Sequence, residues 1–369
     1  MAFGRLKQFF LMAVFPFAAL CSESPMAPPL SEIPLSDASG LVIKHKRVFL
    51  NGTTAPYNAS LLKTEEGFLL FFSHDDWLPK GSSYPTEKSS YTKDKRMGVA
   101  RLDSDFTHTE EKVRFLTPPK HWKKSTIKWI DPRVFTIDGT VYVLTFFYKR
   151  NKSSKNVWIS TICPKTLAFS DPKNIRTHTG HMERNWVPLI SEDLNPRSLS
   201  FVYTPYPTVV GTMDLVKRKA PLSDHLFAPS SPPQWKWGNL CGGTHALLVG
   251  ESYLSFFHSN VLTEEGKRCY VMGACTFSKD PPHQLLSISP YPIVFEGMYS
   301  SKVDGRIGPL GNPRWNARLD RVIFPCGLVP DTDETGKEIF HVSCGENDVG
   351  IRIVTIDKSK LFESLIPVS

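Results

Sequence analysis

The triplet Asp131-Pro132-Arg133 contains the clearest candidate for a reactive group in this sequence. It follows the run Ile127-Lys-Trp-Ile130, so a carboxyl group lies at a strand entry beside a proline that fixes the backbone. Burial among apolar neighbours favours the protonated carboxyl group, whereas the guanidinium opposes it. Asp131 is therefore a candidate general acid. The alternative is that Asp131 forms a salt bridge with Arg133 or caps a turn, and the triplet alone does not decide between them.

The segment that begins at Asp131 is one of five loosely similar repeats. Each repeat has a polar or turn-forming start, a short β-rich run, a turn and a second run ending near aromatic residues. The five repeats cover residues 58–72, 131–146, 185–203, 243–257 and 324–343. A further strand-like run follows each, over residues 97–102, 156–161, 208–213, 270–275 and 349–354. Each repeat therefore predicts a small antiparallel sheet built on a β-hairpin.

Five small antiparallel sheets along one chain predict an all-β fold, a five-bladed β-propeller. Helical periodicity is scarce, and 30 prolines and 24 phenylalanines in 369 residues are typical of short strands and turns. A pair of β-sandwiches would also supply many short strands, but it would not explain five similar repeat starts. Because a propeller gathers its repeat starts around one central pocket, we expect the chemistry there.

The N-terminal residues have the pattern of an export signal. Arg5 and Lys7 precede an apolar run, Phe9 to Leu20, that is too short to span a bilayer and ends at Cys21. The predicted organisation is a signal peptide over residues 1–21, a linker over 22–38 and the propeller over 39–369. The predicted location is exported: secreted, periplasmic or lumenal. The alternative is a protein anchored through this N-terminal segment or Cys21, with no other membrane contact.

No metal or cofactor is predicted. Six cysteines follow Cys21 without CxxC spacing, so buried thiols acting as small apolar side chains are expected rather than a disulfide framework. The close pair His178 and His181 lacks a third ligand.

Positive charge is concentrated in one part of the chain. The formal net charge is +8, and the stretch from Lys112 to Lys155 holds eleven Lys or Arg residues against Asp131 and Asp138. Such a field could steer phosphate, a sugar phosphate or a nucleotide sugar, and a solvated loop surface is the alternative. Nucleic acid is not an expected partner, because the aromatic residues here follow strand alternation and no nucleic-acid motif is present.

Seven short motifs link the repeats to a known family. They occur in this order at hairpin positions: Asn58-Ala-Ser, Asp131-Pro-Arg, Glu183-Arg-Asn-Trp-Val-Pro188, Gly242-Gly-Thr244, Phe257-His258, Tyr270-Val-Met-Gly-Ala274 and Gly345-Glu-Asn-Asp348. With these motifs, the chain from about Asn58 to Val354 resembles the five-bladed propellers of glycoside hydrolase family 130. That family includes β-mannoside phosphorylases, some hydrolases and related β-1,2-mannosyltransferases.

The resemblance implies roles for individual residues. Asp131 would be the general acid of an inverting single displacement, its proton reaching the glycosidic oxygen through a sugar hydroxyl. The residues expected to bind the sugar are Asn58, Arg133, Asn185, Trp186, Thr244, His245, His258 and Asp348. Trp186 would offer an apolar face to a pyranose ring, and a core position is its alternative. His258, at the end of an apolar strand, has the same alternative.

The chain also departs from the family pattern. Ile130 replaces the usual acidic residue before Asp-Pro-Arg, and His245 replaces the proline expected after Gly-Gly-Thr. The Lys and Arg residues expected to cradle inorganic phosphate have no clear match, and Arg184 and Arg268 are the substitutes that the chain offers. These departures weaken the case for standard phosphorolysis and make a transferase or a sugar-binding relative more plausible.

Two functions are therefore predicted as alternatives. The first is an enzyme that forms or breaks β-mannosidic bonds, a phosphorylase or mannosyltransferase acting on a β-mannoside or related oligosaccharide with phosphate or a sugar phosphate. The second is a non-catalytic propeller that binds glycans or a protein. A hydrolase would instead need a second carboxylate roughly 6.5 to 9.5 Å from Asp131; the candidates are Glu183, Glu296 and Glu346. The side chains expected to surround one common cavity are Asn58, Asp131, Asn185, Thr244 and Asp348.

Overall fold

The computed structural model describes residues 28–53, 55–75, 95–116, 128–148, 155–170, 172–175, 185–191, 198–217, 219–222, 232–262, 268–303, 306–307 and 319–368. Within these ranges the chain consists of strands and turns, with one short α-helix near the C-terminal end. A turn of 3-10 helix (Leu30–Glu32) and strand β1 (Val42–Val48) come first. The strands that follow form successive antiparallel groups, which we number sheet 1 to sheet 5.

Sheets 1 and 2 each contain four consecutive strands. Sheet 1 consists of β2 (Pro56–Thr64), β3 (Gly67–Asp75), β4 (Lys95–Leu102) and β5 (Arg114–Phe115). Sheet 2 consists of β6 (Lys128–Ile137), β7 (Thr140–Tyr148), β8 (Lys155–Ile162) and β9 (Lys173–Ile175). Strands adjacent in sequence are adjacent in each sheet, which is the meander expected of a propeller blade.

Sheets 3 and 4 share a continuous ladder. Sheet 3 consists of β10 (Val187–Ile190), β11 (Ser198–Thr204) and β12 (Val209–Asp214). Sheet 4 consists of β13 (Cys241–Gly242), β14 (Ala246–Val249), β15 (Ser252–Leu262), β16 (Arg268–Ser278) and β17 (Leu285–Ile288). Leu189 pairs with Ala246 and Ile190 with Leu247, so β10 and β14 run parallel and join the two sheets.

Sheet 5 joins the two ends of the described chain. Three short strands precede it: β18 (Lys302–Val303), β19 (Arg306–Ile307) and β20 (Leu319–Arg321). Sheet 5 contains β21 (Ile323–Thr332), β22 (Glu338–Glu346) and β23 (Gly350–Asp357), and β1 completes it by pairing with β23. Helix α1 (Lys358–Ser364) and strand β24 (Ile366–Pro367) follow, and β24 pairs with β17 of sheet 4.

The first strands of the sheets contact one another in turn. Strand β2 contacts β6, where the Val134 N–H donates to Ser60 Oγ at 2.9 Å, and β6 contacts β10. Strands β10 and β14 are paired, and β21 contacts β2. Between sheets 4 and 5 the approach is close: a Cβ added at Gly243 would lie 3.1 Å from the Pro325 carbonyl oxygen. The inner strands therefore form a closed ring.

The predicted all-β propeller is confirmed by this ring and by the hairpins. Every one of the five repeats folds as an antiparallel hairpin, and the run that follows each repeat is the next strand of the same sheet. A pair of β-sandwiches would not bring the five strand starts into one ring. The blade count of five stays a prediction from the repeats, since sheets 3 and 4 are continuous.

The N-terminal segment contributes to the packing before β1 begins. Pro28 accepts a hydrogen bond from Trp237 Nε1 at 3.2 Å, and Ile33 is buried in the largest apolar cluster. Residues 28–38, which the sequence assigns to a linker, thus lie against the propeller. The predicted signal peptide falls on residues outside the described ranges. Within those ranges, no helix is long and apolar enough to cross a membrane.

Among the described cysteines, Cys163, Cys275, Cys326 and Cys344 are free thiols. Cys269, Cys275, Cys326 and Cys344 are buried, as expected for small apolar side chains, whereas Cys163 is exposed. Burial raises the pKa of the Cys326 thiol to about 12.

Candidate functional site

Asn58 and Asp131 occupy equivalent kinks in the first strands of sheets 1 and 2. The segment of β2 from Tyr57 to Ser60 is one residue longer than the segment of β3 with which it pairs. The segment of β6 from Ile130 to Arg133 is likewise one residue longer than its partner in β7. Each strand therefore carries a β-bulge. The bulge residues Asn58 and Asp131 have left-handed φ angles of 46° and 54°. Asn and Asp tolerate this conformation better than other residues with side chains, which accounts locally for both residue types.

The two bulges bring the side chains of Asn58 and Asp131 together. Asn58 Nδ2 donates a hydrogen bond of 2.7 Å to Asp131 Oδ1. The Asp131 N–H donates to Ser73 Oγ, on β3, at 2.9 Å. Asp131 is 2% exposed and Asn58 is 7% exposed, so the pair is almost withdrawn from bulk water. The predicted general acid is thus held by sheet 1, although it belongs to sheet 2.

Arg133 lies inside the ring of inner strands. Its Nη1 donates to the Asp131 carbonyl oxygen and its Nε to the Gly243 carbonyl oxygen, both at 2.7 Å. The guanidinium carbon is 5.4 Å from the ring centroids of Phe146 and Phe324. Arg133 therefore connects sheet 2 with sheets 4 and 5. The sequence predicts that Arg133 lines a sugar subsite, but the side chain is fully buried and two of its nitrogens bind backbone carbonyls.

Asn185 and Trp186 lie side by side but in different surroundings. Like Asn58 and Asp131, Asn185 has a left-handed φ, of 61°, but unlike them it is partly exposed. A Cβ added at Gly242 would lie 2.1 Å from the Asn185 carbonyl oxygen, so sheet 4 approaches the backbone closely here. Trp186 is fully buried, and its indole stacks on Phe201 with 4.2 Å between ring centroids. The predicted sugar platform is therefore placed in the core, the alternative open to a large aromatic residue.

Thr244 and His245 are buried where sheet 4 meets sheets 2 and 5. Thr244 Oγ1 accepts the Phe256 N–H at 3.0 Å and lies 3.2 Å from Ser255 Oγ, so its hydroxyl group stabilises the sheet. The pKa of His245 is lowered to about 4, chiefly by burial and further by the Arg133 guanidinium, while a hydrogen bond with the Leu328 backbone opposes the shift. At neutral pH His245 is therefore an uncharged imidazole.

His258 belongs to an aromatic group that reaches Arg133. Its ring centroid lies 4.3 Å from that of Phe324 and 5.8 Å from that of Tyr270. Phe324 therefore has His258 on one side and the Arg133 guanidinium nearby. His258 is 3% exposed and Phe324 8% exposed, whereas Tyr270 is partly exposed.

Asp348 occupies the turn between β22 and β23. Asn347 and Asp348 have φ angles of 53° and 55°. Two consecutive left-handed residues are what a tight type I′ hairpin turn requires. Just before the turn, Gly345 packs against Asn58, so the turn lies at the end of sheet 5 where the Asn58–Asp131 pair is found. Asp348 is partly exposed.

Of the two arginines predicted to bind the anion, only Arg268 lies within the part of the chain that the structure describes. Arg268 is exposed at the start of β16, and strand alternation puts its side chain on the same face of β16 as Tyr270. Arg184 and Glu183 lie outside the described residues. The structure thus brings Asn58 and Asp131 into contact, with Gly242 close to the backbone of Asn185 and Gly345, just before the Asp348 turn, close to Asn58. Arg133, Trp186, Thr244 and His245 are buried, and their predicted roles in sugar binding stay predictions.

Sequence reasoning did not identify several residues around Asp131. Ser73, Gly345 and Phe324 each contact one of the predicted residues, and Cys326 is close enough for Arg133 and Asp131 to influence the pKa of its thiol. Gly345 lies within a quoted motif, so the signal for a close approach was present there. Ser73 and Cys326 lie within apolar strand runs, where their types carry no distinguishing signal. Among the described residues, no group of three or more His, Cys, Asp and Glu side chains is arranged to hold a metal ion.

Comparison with solved structures finds the same fold in a candidate glycoside hydrolase and in two phosphorylases. A candidate glycoside hydrolase from Parabacteroides distasonis is 15% identical with a TM-score of 0.59, over 84% of this chain and 88% of that one. β-1,2-Mannobiose phosphorylase from Listeria innocua, in complex with β-1,2-mannobiose, is 16% identical with a TM-score of 0.56, over 87% and 92%. A mannose phosphorylase from Leishmania mexicana, in complex with phosphate, is 13% identical with a TM-score of 0.53, over 90% and 94%.

These likenesses confirm the propeller fold and the resemblance to family 130 propellers at the level of the fold. No protein-family model matches the sequence, and no curated protein matches it either.

Proposed function

We propose that this protein is a carbohydrate-active enzyme that forms or breaks β-mannosidic bonds by inverting single displacement. Asp131 is the general acid, and the second substrate is an anion, either phosphate or a sugar phosphate. The reaction is therefore phosphorolysis or mannosyl transfer. Two of the solved structures that share the fold are mannoside phosphorylases, which supports the substrate class without fixing the linkage.

The observation that carries this proposal is the geometry of Asp131. A general acid needs a carboxyl group that is withdrawn from water and oriented by fixed donors. Asp131 meets both conditions, with 2% exposure and one carboxylate oxygen bound by Asn58 Nδ2 at 2.7 Å. Its position on the inner strand β6 is where a propeller gathers its functional side chains.

The surroundings of the other carboxylates favour an anionic nucleophile over water. An inverting hydrolase needs a second carboxylate that is free to activate a water molecule. Glu346 is fully buried and forms an ion pair with Arg352, with Arg352 Nη2 3.0 Å from Glu346 Oε2, while Ser301 also donates to this carboxylate. Glu296 is exposed. Glu346 is therefore engaged in an ion pair, and an attacking phosphate requires no base because it carries its own charge.

The anion site is proposed to include Arg268 and, from outside the described residues, Arg184. A phosphate or sugar phosphate carries about two negative charges at neutral pH, which two or three Lys or Arg side chains can neutralise through charge-assisted hydrogen bonds.

We also propose that the protein works outside the cytosol, on the basis of the N-terminal sequence pattern. The alternative, a protein anchored to the membrane through its N-terminal segment, would have the same catalytic site.

The first prediction tests the reaction directly. The purified protein is incubated with β-1,2-mannobiose in the presence and absence of inorganic phosphate, and products are separated by ion-exchange chromatography. We expect mannose phosphate only with phosphate, or mannosyl transfer when a sugar-phosphate or nucleotide-mannose donor replaces mannobiose and phosphate. Asp131→Asn, which keeps the shape but not the transferable proton, should lower turnover roughly 100- to 10,000-fold.

Each other outcome selects a different function. Free mannose at equal rates with and without phosphate would make the protein a hydrolase. Normal turnover by Asp131→Asn would make Asp131 a structural residue. Binding of mannosides without turnover by either form, measured calorimetrically, would leave the non-catalytic glycan-binding propeller.

A further inference from the structure

We propose that Asn58 is a positioning residue that directs the proton of Asp131, and that Gly345 provides the space in which Asn58 does so. This inference rests on the proposed function, since it concerns the same acid. It assigns Asn58 a role different from the sugar contact expected from the sequence.

The direction of one hydrogen bond determines where the proton can be. Asn58 Nδ2 donates to Asp131 Oδ1 at 2.7 Å. A protonated carboxyl group accepts hydrogen bonds chiefly through its carbonyl oxygen and donates from its hydroxyl oxygen. With Oδ1 occupied as an acceptor, the transferable proton is carried by Oδ2. Asn58 therefore selects the oxygen from which the acid delivers its proton.

The position of Asn58 is fixed from two directions. Its backbone is in the left-handed conformation of a β-bulge, with φ of 46°, which sets the direction of the side chain. On the other side, a Cβ added at Gly345 would lie 2.1 Å from Asn58 Oδ1 and 2.6 Å from the backbone nitrogen of Asn58. A side chain at position 345 would therefore displace the amide group. Sheet 5 thus supports Asn58 of sheet 1, which in turn orients the acid of sheet 2.

The backbone of Asp131 is held by the same neighbouring sheet. Its N–H donates to Ser73 Oγ at 2.9 Å, so both the main chain and the carboxylate of Asp131 depend on sheet 1. Asn58 and Ser73 are both buried, which keeps water from competing for these donors and acceptors. The geometry points to a carboxylate whose orientation is set before any substrate arrives.

Positioning and sugar binding make different kinetic predictions. If Asn58 orients the acid, Asn58→Ala should lower kcat most for substrates whose leaving group needs a proton. If Asn58 instead contacted the sugar, the variant should weaken binding of every mannoside alike. An activated aryl mannoside, whose leaving group departs without protonation, separates the two cases.

The test compares Asn58→Ala with wild type on β-1,2-mannobiose and on 2,4-dinitrophenyl β-mannoside, both with phosphate. We expect kcat for mannobiose to fall about 100-fold, kcat for the aryl mannoside to change less than about threefold, and KM to stay within about threefold for both. Gly345→Ala, which leaves the amide chemically intact, should reproduce the pattern. Asn51→Ala, at an exposed turn asparagine, is the matched control and should behave as wild type.

Several outcomes would overturn the assignment. An equal loss of kcat on both substrates, or a raised KM with unchanged kcat, would remove the positioning role. Absence of turnover by the wild type would instead overturn the proposed function. So would an Asp131→Asn variant whose loss of kcat is the same for mannobiose and for the aryl mannoside. In that case a crystal structure of Asn58→Ala decides the positioning question separately: the Asp131 carboxylate should rotate, and a carboxylate that stays in place contradicts the inference.

Discussion

Three polar residues of the candidate site have residue types that the backbone itself favours. Asn58, Asp131 and Asn185 all have left-handed φ angles, where Asn and Asp are tolerated and most other residues are strained. A polar residue at such a repeat start is therefore expected even without a ligand. What distinguishes Asp131 is the contact that Asn58 makes with it, and that contact joins two sheets. The chemistry is carried by a pair of residues rather than by the residue type at one position.

His245 makes the stability of the fold depend on pH. Its pKa is about 4 in the folded protein, well below the value of 6.5 in an unfolded chain. The unfolded chain therefore binds a proton first as pH falls, so stability is complete above about pH 6.5 and decreases toward pH 4. This one group should cost about 2 kcal/mol of the free energy of unfolding between pH 7 and pH 5. His245→Leu, which cannot bind a proton, should flatten that part of the profile.

Urea unfolding of wild type and His245→Leu at pH 7, 6 and 5 measures the difference. His341 and His45 also have pKa values lowered by burial, so both proteins should lose some stability on acidification. Only the difference between the two slopes is assigned to His245. Parallel profiles would mean that the imidazole is not withdrawn from water as the structure indicates.

At the scale of the element, the hairpins could be predicted because their signal is local. Alternating apolar residues and turn-forming residues recur within each repeat, and every predicted run corresponds to a strand. The burial of Trp186 could not be predicted, because its stacking partner Phe201 lies on the following strand and either face of β10 could have met it. The pairing of β1 with β23 was not predicted either, because it joins segments almost a whole chain apart.

The closure by β1 gives an element-scale prediction. Val48 is 3% exposed and packs in an apolar cluster with side chains of sheet 1, whereas Ile43 on the same strand is 46% exposed. Val48→Asp places an unpaired carboxylate in that cluster and should cost roughly 3 kcal/mol or more. Ile43→Asp is the matched control, and should change stability by less than about 1 kcal/mol. Thermal unfolding followed by circular dichroism compares them; equal melting temperatures would show that β1 does not close the fold.

At the scale of the whole molecule, the propeller connects the candidate acid of sheet 2 to sheets 1, 4 and 5. Asp131 is held by sheet 1, its neighbour Arg133 binds sheet 4 and contacts Phe324 of sheet 5, and Gly345 of sheet 5 packs against Asn58. The sequence motifs located most of these residues but could not assign their contacts, because each contact spans tens to hundreds of residues. An Arg after Asp-Pro is equally suited to binding a ligand or a carbonyl oxygen. In the closed ring, Nε and Nη1 of Arg133 donate to carbonyl oxygens.

Arg133 should therefore be required for stability of the whole propeller. Arg133→Met removes the donors to the Asp131 and Gly243 carbonyl oxygens, both inside the ring, and each buried acceptor left without a donor costs about 1 to 3 kcal/mol. We expect a loss of roughly 2 to 6 kcal/mol in the free energy of unfolding by urea. Arg101→Met is the control, because Arg101 also crosses between sheets, donating to Pro164 O at 3.2 Å, but is 27% exposed and should cost less than about 1 kcal/mol. If the two variants are equally stable while Arg133→Met loses mannoside binding, Arg133 is a sugar contact after all, and the ring is held by its strands alone.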